Sequence, residues 1–157
     1  MKGTSLLFDV YVLAQVVNEM LSSAMSDSPL TPEEYAVYSH LLEVAPCPPT
    51  ALARDLRVPA TTVTDWVRTM TDRGHARRVA RQSDRRSYDL SLTAAGVRAH
   101  RSANASFEQV NTAFLAGLLH PEAELRGYLA EIIAATGVRR IETSPRGRPA
   151  ESWPGHG

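Results

Sequence analysis

Leu6, Val10, Leu13, Val17 and Met20 recur at alternating four- and three-residue steps, and Leu7, Ala14 and Leu21 widen the stripe. That period predicts a helix over residues 5–24, buried on much of its circumference and wanting more than one neighbour. After a loop at 26–29, Thr31, Pro32 and Glu34 form a capping box with proline at the first helical position, which opens a second helix. Val37, Leu41, Leu42 and Val44 are its expected core side, and Pro46, Pro48 and Pro49 stop it because proline cannot continue the amide ladder. Thr50 is the expected cap of a third, short helix with Leu52, Ala53 and Leu56 inward. Arg57, Val58 and Pro59 make a tight turn into a fourth helix over about 60–73. Val63, Trp66, Val67 and Met70 share one stripe of that helix, leaving a polar face opposite, and Gly74 ends it.

The period then changes from helical to alternating. Two strand-like runs, 77–81 and 87–92, flank a polar loop of Gln82, Ser83, Asp84, Arg85 and Arg86, longer and more cationic than a simple hairpin needs. Tyr88, Leu90 and Leu92 alternate with Ser87, Asp89 and Ser91, so one face of the hairpin packs and the other meets water. Thr93 caps a fifth helix reaching about residue 119, with Val97, Phe107, Val110, Phe114 and Leu118 as its stripe. At about 1.5 Å per residue it would extend to nearly 40 Å, so its far end needs something outside the hairpin unit to bury it. Pro121, Glu122 and Glu124 start a sixth helix, whose Leu125, Tyr128, Leu129, Ile132 and Ile133 give a broad apolar face before Gly137. Residues 143–157 are proline, glycine and charge and read as a disordered tail. The fold class expected is mainly α with a small β-hairpin wing. It is one domain over 1–142, with a winged helix-turn-helix lobe over about 31–92 flanked by dimerisation helices over about 5–24 and 94–140.

Charge sharpens this picture. The chain has 157 residues and a formal net charge of zero, yet residues 50–101 carry eleven arginines against five acids, and the flanks carry the balancing negative excess. A cationic patch on an otherwise acidic molecule is the electrostatic footprint of phosphate-backbone docking, although an arginine-rich solvated surface has the same composition. The single cysteine, Cys47, excludes an internal disulfide. No uninterrupted apolar run approaches membrane-spanning length and the N-terminus lacks the flanks of a secretory signal, so a cytoplasmic protein without a membrane partner is expected. His40, His75, His100, His120 and His156 show no ligand spacing, and no phosphate loop, nucleophile elbow or zinc-protease signature occurs. Neither a metal, nor a cofactor, nor catalysis is therefore expected.

A helix fits the major groove, where short polar side chains and arginine reach base edges and threonine methyls meet thymine methyls. Thr61, Thr62, Thr64, Asp65 and Arg68 are accordingly the base-reading candidates, a merely solubilising face being the alternative. Asp84 and Arg86 lie two apart at the hairpin tip, where the carboxylate can orient a guanidinium for the narrow, electronegative minor groove. Arg77, Arg78, Arg81 and Arg85 would serve phosphates.

The run DRRSYDLSLTAAG, with the preceding helix ending DRG, resembles the MarR family of bacterial winged-helix regulators, and LTPEEYAVYSHL extends the likeness more loosely within residues 5–140. The resemblance implies a homodimeric regulator, a repressor, that reads a pseudo-palindromic operator in duplex DNA. The fourth helix would enter the major groove and Arg86, partnered by Asp84, the minor groove. It also implies release by a small amphipathic or phenolic effector, for which Tyr11, Tyr35, Tyr38 and His40 are the candidate contacts, ordinary core aromatics being the alternative. His75, Ala76 and Trp66 depart from the residues usual in that family. Three further readings stay open: a winged-helix protein-interaction module without DNA binding, a redox-responsive regulator acting through Cys47, and an enzyme or carrier that reuses the dimer cleft.

Overall fold

A computed structural model describes residues 5–81 and 87–136. The loop at 82–86, with Asp84, Arg85 and Arg86, and the segment from Gly137 through the expected tail at 143–157 lie outside the described residues. The described chain runs α1 (Leu6–Ala24), α2 (Pro32–Val44), α3 (Pro49–Leu56), α4 (Ala60–Asp72), β1 (Ala76–Ala80), β2 (Tyr88–Leu92), α5 (Ala94–Ala116) and α6 (Glu122–Ala135). This is a mainly helical winged helix-turn-helix, with one antiparallel hairpin in which Ala76 faces Leu92 and Ala80 faces Tyr88.

The expected capping box of α2 is present in both directions, Thr31 Oγ1 accepting from Glu34 N and Glu34 accepting from Thr31 N. Two expectations about this stretch are corrected. Leu42 and Val44 are 44 % and 42 % exposed, while the expected Val37 and Leu41 face inward together with Tyr38. Tyr38 can occupy the core because its hydroxyl meets His75 Nδ1 at 3.0 Å, which removes the cost of burying a lone phenol oxygen. Thr50 does not cap α3. Pro48 is the capping residue and Pro49 the first helical one, where the absent amide proton costs nothing.

Leu52 of α3, Val63, Val67 and Met70 of α4 and Leu90 of β2 close one core around the buried face of α2. The hairpin is tied in by a further pairing, Leu90 N donating to Cys47 O at 2.7 Å and Cys47 N to Leu90 O at 3.2 Å. The 45–48 linker thus serves as a short third edge beneath the wing.

The terminal helices behave differently. No residue of α1 or α6 is buried within the chain, so the expectation that α1 is enclosed on most sides fails for a single copy. It contacts α5 and α2 along one flank, while Leu6, Leu7, Phe8, Tyr11, Leu13 and Val16 stay exposed. At 19 residues and a mean hydropathy of 1.2, α1 is also long and apolar enough to cross a membrane. Asp9, Gln15, Asn18 and Glu19 interrupt its surface. Helix α5 is 23 residues, about 34 Å, and projects past the winged unit.

Candidate nucleic-acid interface

The turn between α3 and α4 is set by Arg57, which adopts a left-handed φ of 56° and donates its backbone N–H toward Ala53 O and Arg54 O. A non-glycine residue there costs about 1–2 kcal/mol. The burial of Leu52 on one side and Val63 on the other holds it in place. Because Val63, Val67 and Met70 face the core with Trp66 at its margin, the opposite stripe of α4 is directed outward. Thr61, Thr64, Asp65 and Arg68, at i, i+3, i+4 and i+7, are all exposed, and Thr62 is half-buried beside them. Four of the five expected base-reading residues are thus brought onto one face. Arg68 Nη2 donates to Asp65 Oδ1 at 3.0 Å, and the Thr64 hydroxyl donates to Ala60 O at 3.0 Å.

In the hairpin, the register sends successive side chains to opposite faces. Arg78 lies on the face of Tyr88 and Leu90, and its guanidinium stacks 4.6 Å from the Tyr88 ring centroid, a contact worth about 0.5–1 kcal/mol at an exposed site. Arg77 and Arg81 lie on the other face. Arg81 is not a free phosphate ligand, because its Nε and Nη2 both donate to Asp89 Oδ1, at 2.8 and 2.7 Å. Arg77 is exposed and has no acid partner among the described residues.

Several cationic groups of this lobe are paired in ways that composition does not reveal. Arg73, just past α4, meets Glu34 of α2 at 2.9 Å, and Arg54 meets the adjacent Asp55 at 2.8 Å. The Asp55 hydrogen bond, and then its charge, raises the Arg54 pKa. Arg57, at the apex of the helix-turn-helix, is exposed with no acid partner among the described residues, and it joins the cationic surface although its spacing marked it only as a turn residue. Its signal was its place in a short interhelical turn.

The candidate ligand contacts are dispersed. Tyr35 donates to Asn104 Oδ1 at 2.6 Å and stacks on His100 and Phe107, so its hydroxyl is committed between α2 and α5. Tyr38 is committed to His75. Burial chiefly pushes both phenols above their ordinary pKa. His40 Nε2 lies 3.4 Å from Asp55 Oδ2, without a well-aligned hydrogen bond, and Tyr11 is exposed on α1 beside Phe8. A small pocket between α2 and α4 is lined by Glu34, Val37, Tyr38, Trp66, Thr69 and Met70, and of the four candidates it includes Tyr38 alone. Cys47 is buried, and burial, with Asp89 and Asp55 adding, pushes its thiol pKa up and away from the reactive thiolate. Among the described residues no three histidine, cysteine or carboxylate side chains gather as metal ligands.

Solved structures share this architecture. A probable transcriptional regulator from Pseudomonas aeruginosa superposes with a TM-score of 0.73 at 28 % identity, over 82 % of this chain and 97 % of that one. MepR from S. aureus, solved in complex with DNA, gives 0.72 at 14 % identity, over 86 % and 98 %. A mutant of MarR from E. coli gives 0.68 at 18 %, over 85 % and 99 %. No family model matches the chain, and no curated protein matches it by sequence.

Proposed function

Because this chain has the winged-helix fold of the MarR regulators, we propose that it is a homodimeric transcription regulator, a repressor, that binds a pseudo-palindromic operator in duplex DNA. The observation that carries the reading is the outward stripe Thr61, Thr64, Asp65 and Arg68 on a helix whose other side is anchored by Val63, Val67 and Met70. A rigid helix with short polar groups and one arginine on its free face suits the major groove. The hairpin beside it carries Arg77 and Arg78 toward phosphates, and Arg86 with Asp84 is assigned to the minor groove on the strength of the sequence motif. Arg81, paired to Asp89, stiffens the wing in this reading rather than serving a phosphate.

Release by a small amphipathic or phenolic effector belongs to the same proposal, as does a cytoplasmic location. Tyr35 and Tyr38 are better regarded as structural than as effector handles, since their hydroxyls are spent within the fold. The residues that depart from the family's usual pattern have structural duties here: His75 satisfies Tyr38, Ala76 is buried at the start of β1 and Trp66 packs against the core. The burial and raised pKa of Cys47 give no support to redox control.

The test is selection of bound duplexes from a randomised pool by the full-length protein, followed by titration across salt. Two half-sites about one helical turn apart are expected, with log affinity falling by about 0.9 per phosphate neutralised for each decade of salt. Arg68→Ala should cost about 1–3 kcal/mol per half-site, concentrated at one base position of each. Equal affinity of wild type and this variant for every duplex would remove Arg68 from base reading.

A further inference from the structure

We propose that Thr64 is a thymine-methyl reader, so that each half-site carries a thymine near the base position read by Arg68. This rests on the DNA-binding reading above and assigns the specificity of one position within it. A threonine hydroxyl has one proton to donate, and that of Thr64 goes to Ala60 O at 3.0 Å. It therefore has no proton for guanine O6 or N7 or for thymine O4, and its Cγ2 methyl and the acceptor lone pairs of its oxygen are what remain. The amino donors of adenine and cytosine have a stronger acceptor in the neighbouring carboxylate of Asp65, which is exposed on the same stripe. The methyl is what Thr64 adds.

The spacing follows from helix geometry. Arg68 lies one turn further along the same face, its Nη2 held by Asp65 at 3.0 Å, with its other donors left for a base edge. Four residues of helix rise about 6 Å, so along the groove Thr64 and Arg68 reach nearby but different base pairs.

The experiment uses the full chain and its selected operator, with each thymine replaced in turn by uracil, which lacks only the C5 methyl. One thymine per half-site should be uracil-sensitive, at about fourfold in affinity, the worth of one buried methyl. Thr64→Val keeps a methyl and loses the hydroxyl, and it should stay uracil-sensitive at that position. Thr64→Ser keeps the hydroxyl and loses the methyl in both protomers, and it should bind the two-half-site operator about fifteenfold more weakly and become indifferent to uracil at that position. Loss of affinity in Thr64→Val with retention in Thr64→Ser, or tolerance of uracil at every position, would overturn the assignment while leaving DNA binding intact. Failure to select any duplex would instead overturn the DNA-binding reading, and this assignment with it.

Discussion

His100 shows how one side chain can make the stability of this fold depend on pH. It stacks on Tyr35 with ring centroids 4.9 Å apart and planes 7° off parallel, and its Nε2 is 2.8 Å from Ser39 Oγ. The Ser39 proton is donated to Tyr35 O, so the serine oxygen accepts here and His100 carries its proton on Nε2. That contact is complete in the neutral imidazole, and burial lowers the His100 pKa. A depressed histidine pKa means that the unfolded chain takes up a proton first as acid is added. The stabilising contribution is therefore present above the ordinary histidine value, about 6.5, and is lost as pH falls below it toward the folded value. The urea midpoint should drop between about pH 7.5 and about pH 5.5, and His100→Gln should flatten that drop. Parallel pH dependences for the two proteins would show that this imidazole is not responsible.

Among the elements, the junction of α4, β1 and α5 leaves no room for a side chain at Gly96. Thr93 Oγ1 accepts from Gly96 N at 3.2 Å and donates to Gly74 O at 2.6 Å, while Thr93 N donates to His75 O at 2.9 Å. A Cβ on Gly96 would stand 2.1 Å from His75 O, a backbone atom that cannot swing aside. Gly96→Ala should destabilise the protein by about 3 kcal/mol, at the upper end of overpacking penalties. Gly127→Ala on α6, where nothing lies within 4 Å, should gain up to about 1 kcal/mol from helix propensity. Denaturant unfolding of the pair checks both signs. The capping box at Thr31, the inward stripe of Val63, Val67 and Met70 and the Arg-rich hairpin could all be read in the sequence, because each is fixed by residues close together along the chain. Tyr38 could not be placed this way, since its burial depends on His75, 37 residues away. For the same reason the cationic surface was overestimated at Arg81 and Arg73, whose partners Asp89 and Glu34 come from other elements. The α4 stripe was legible as a face, but the donation of the Thr64 hydroxyl to Ala60 O depends on a side-chain rotamer that sequence does not fix.

At the scale of the molecule, the question is what covers the terminal helices. Leu6, Leu7, Phe8, Leu13 and Val16 of α1, Phe114 of α5 and Leu129 and Ile133 of α6 are exposed in one copy, and soluble monomers rarely leave so much large apolar surface open. A membrane would suit the length of α1, yet it would leave α6 and the end of α5 uncovered, whereas a second copy of the chain can cover all three helices at once. Two-fold pairing there also explains why two winged lobes would read two half-sites about one helical turn apart. The full-length protein should therefore sediment as a dimer at micromolar concentration without detergent. Leu13→Glu with Val16→Glu places two charges on one face of α1, well away from α4, and should give a folded monomer. That monomer should bind the full operator little better than a single half-site, because avidity is lost while each lobe keeps its contacts. If the charged variant still sedimented as a dimer, the hub would not run through this face of α1; if it became monomeric and kept full operator affinity, dimerisation would have no part in recognition.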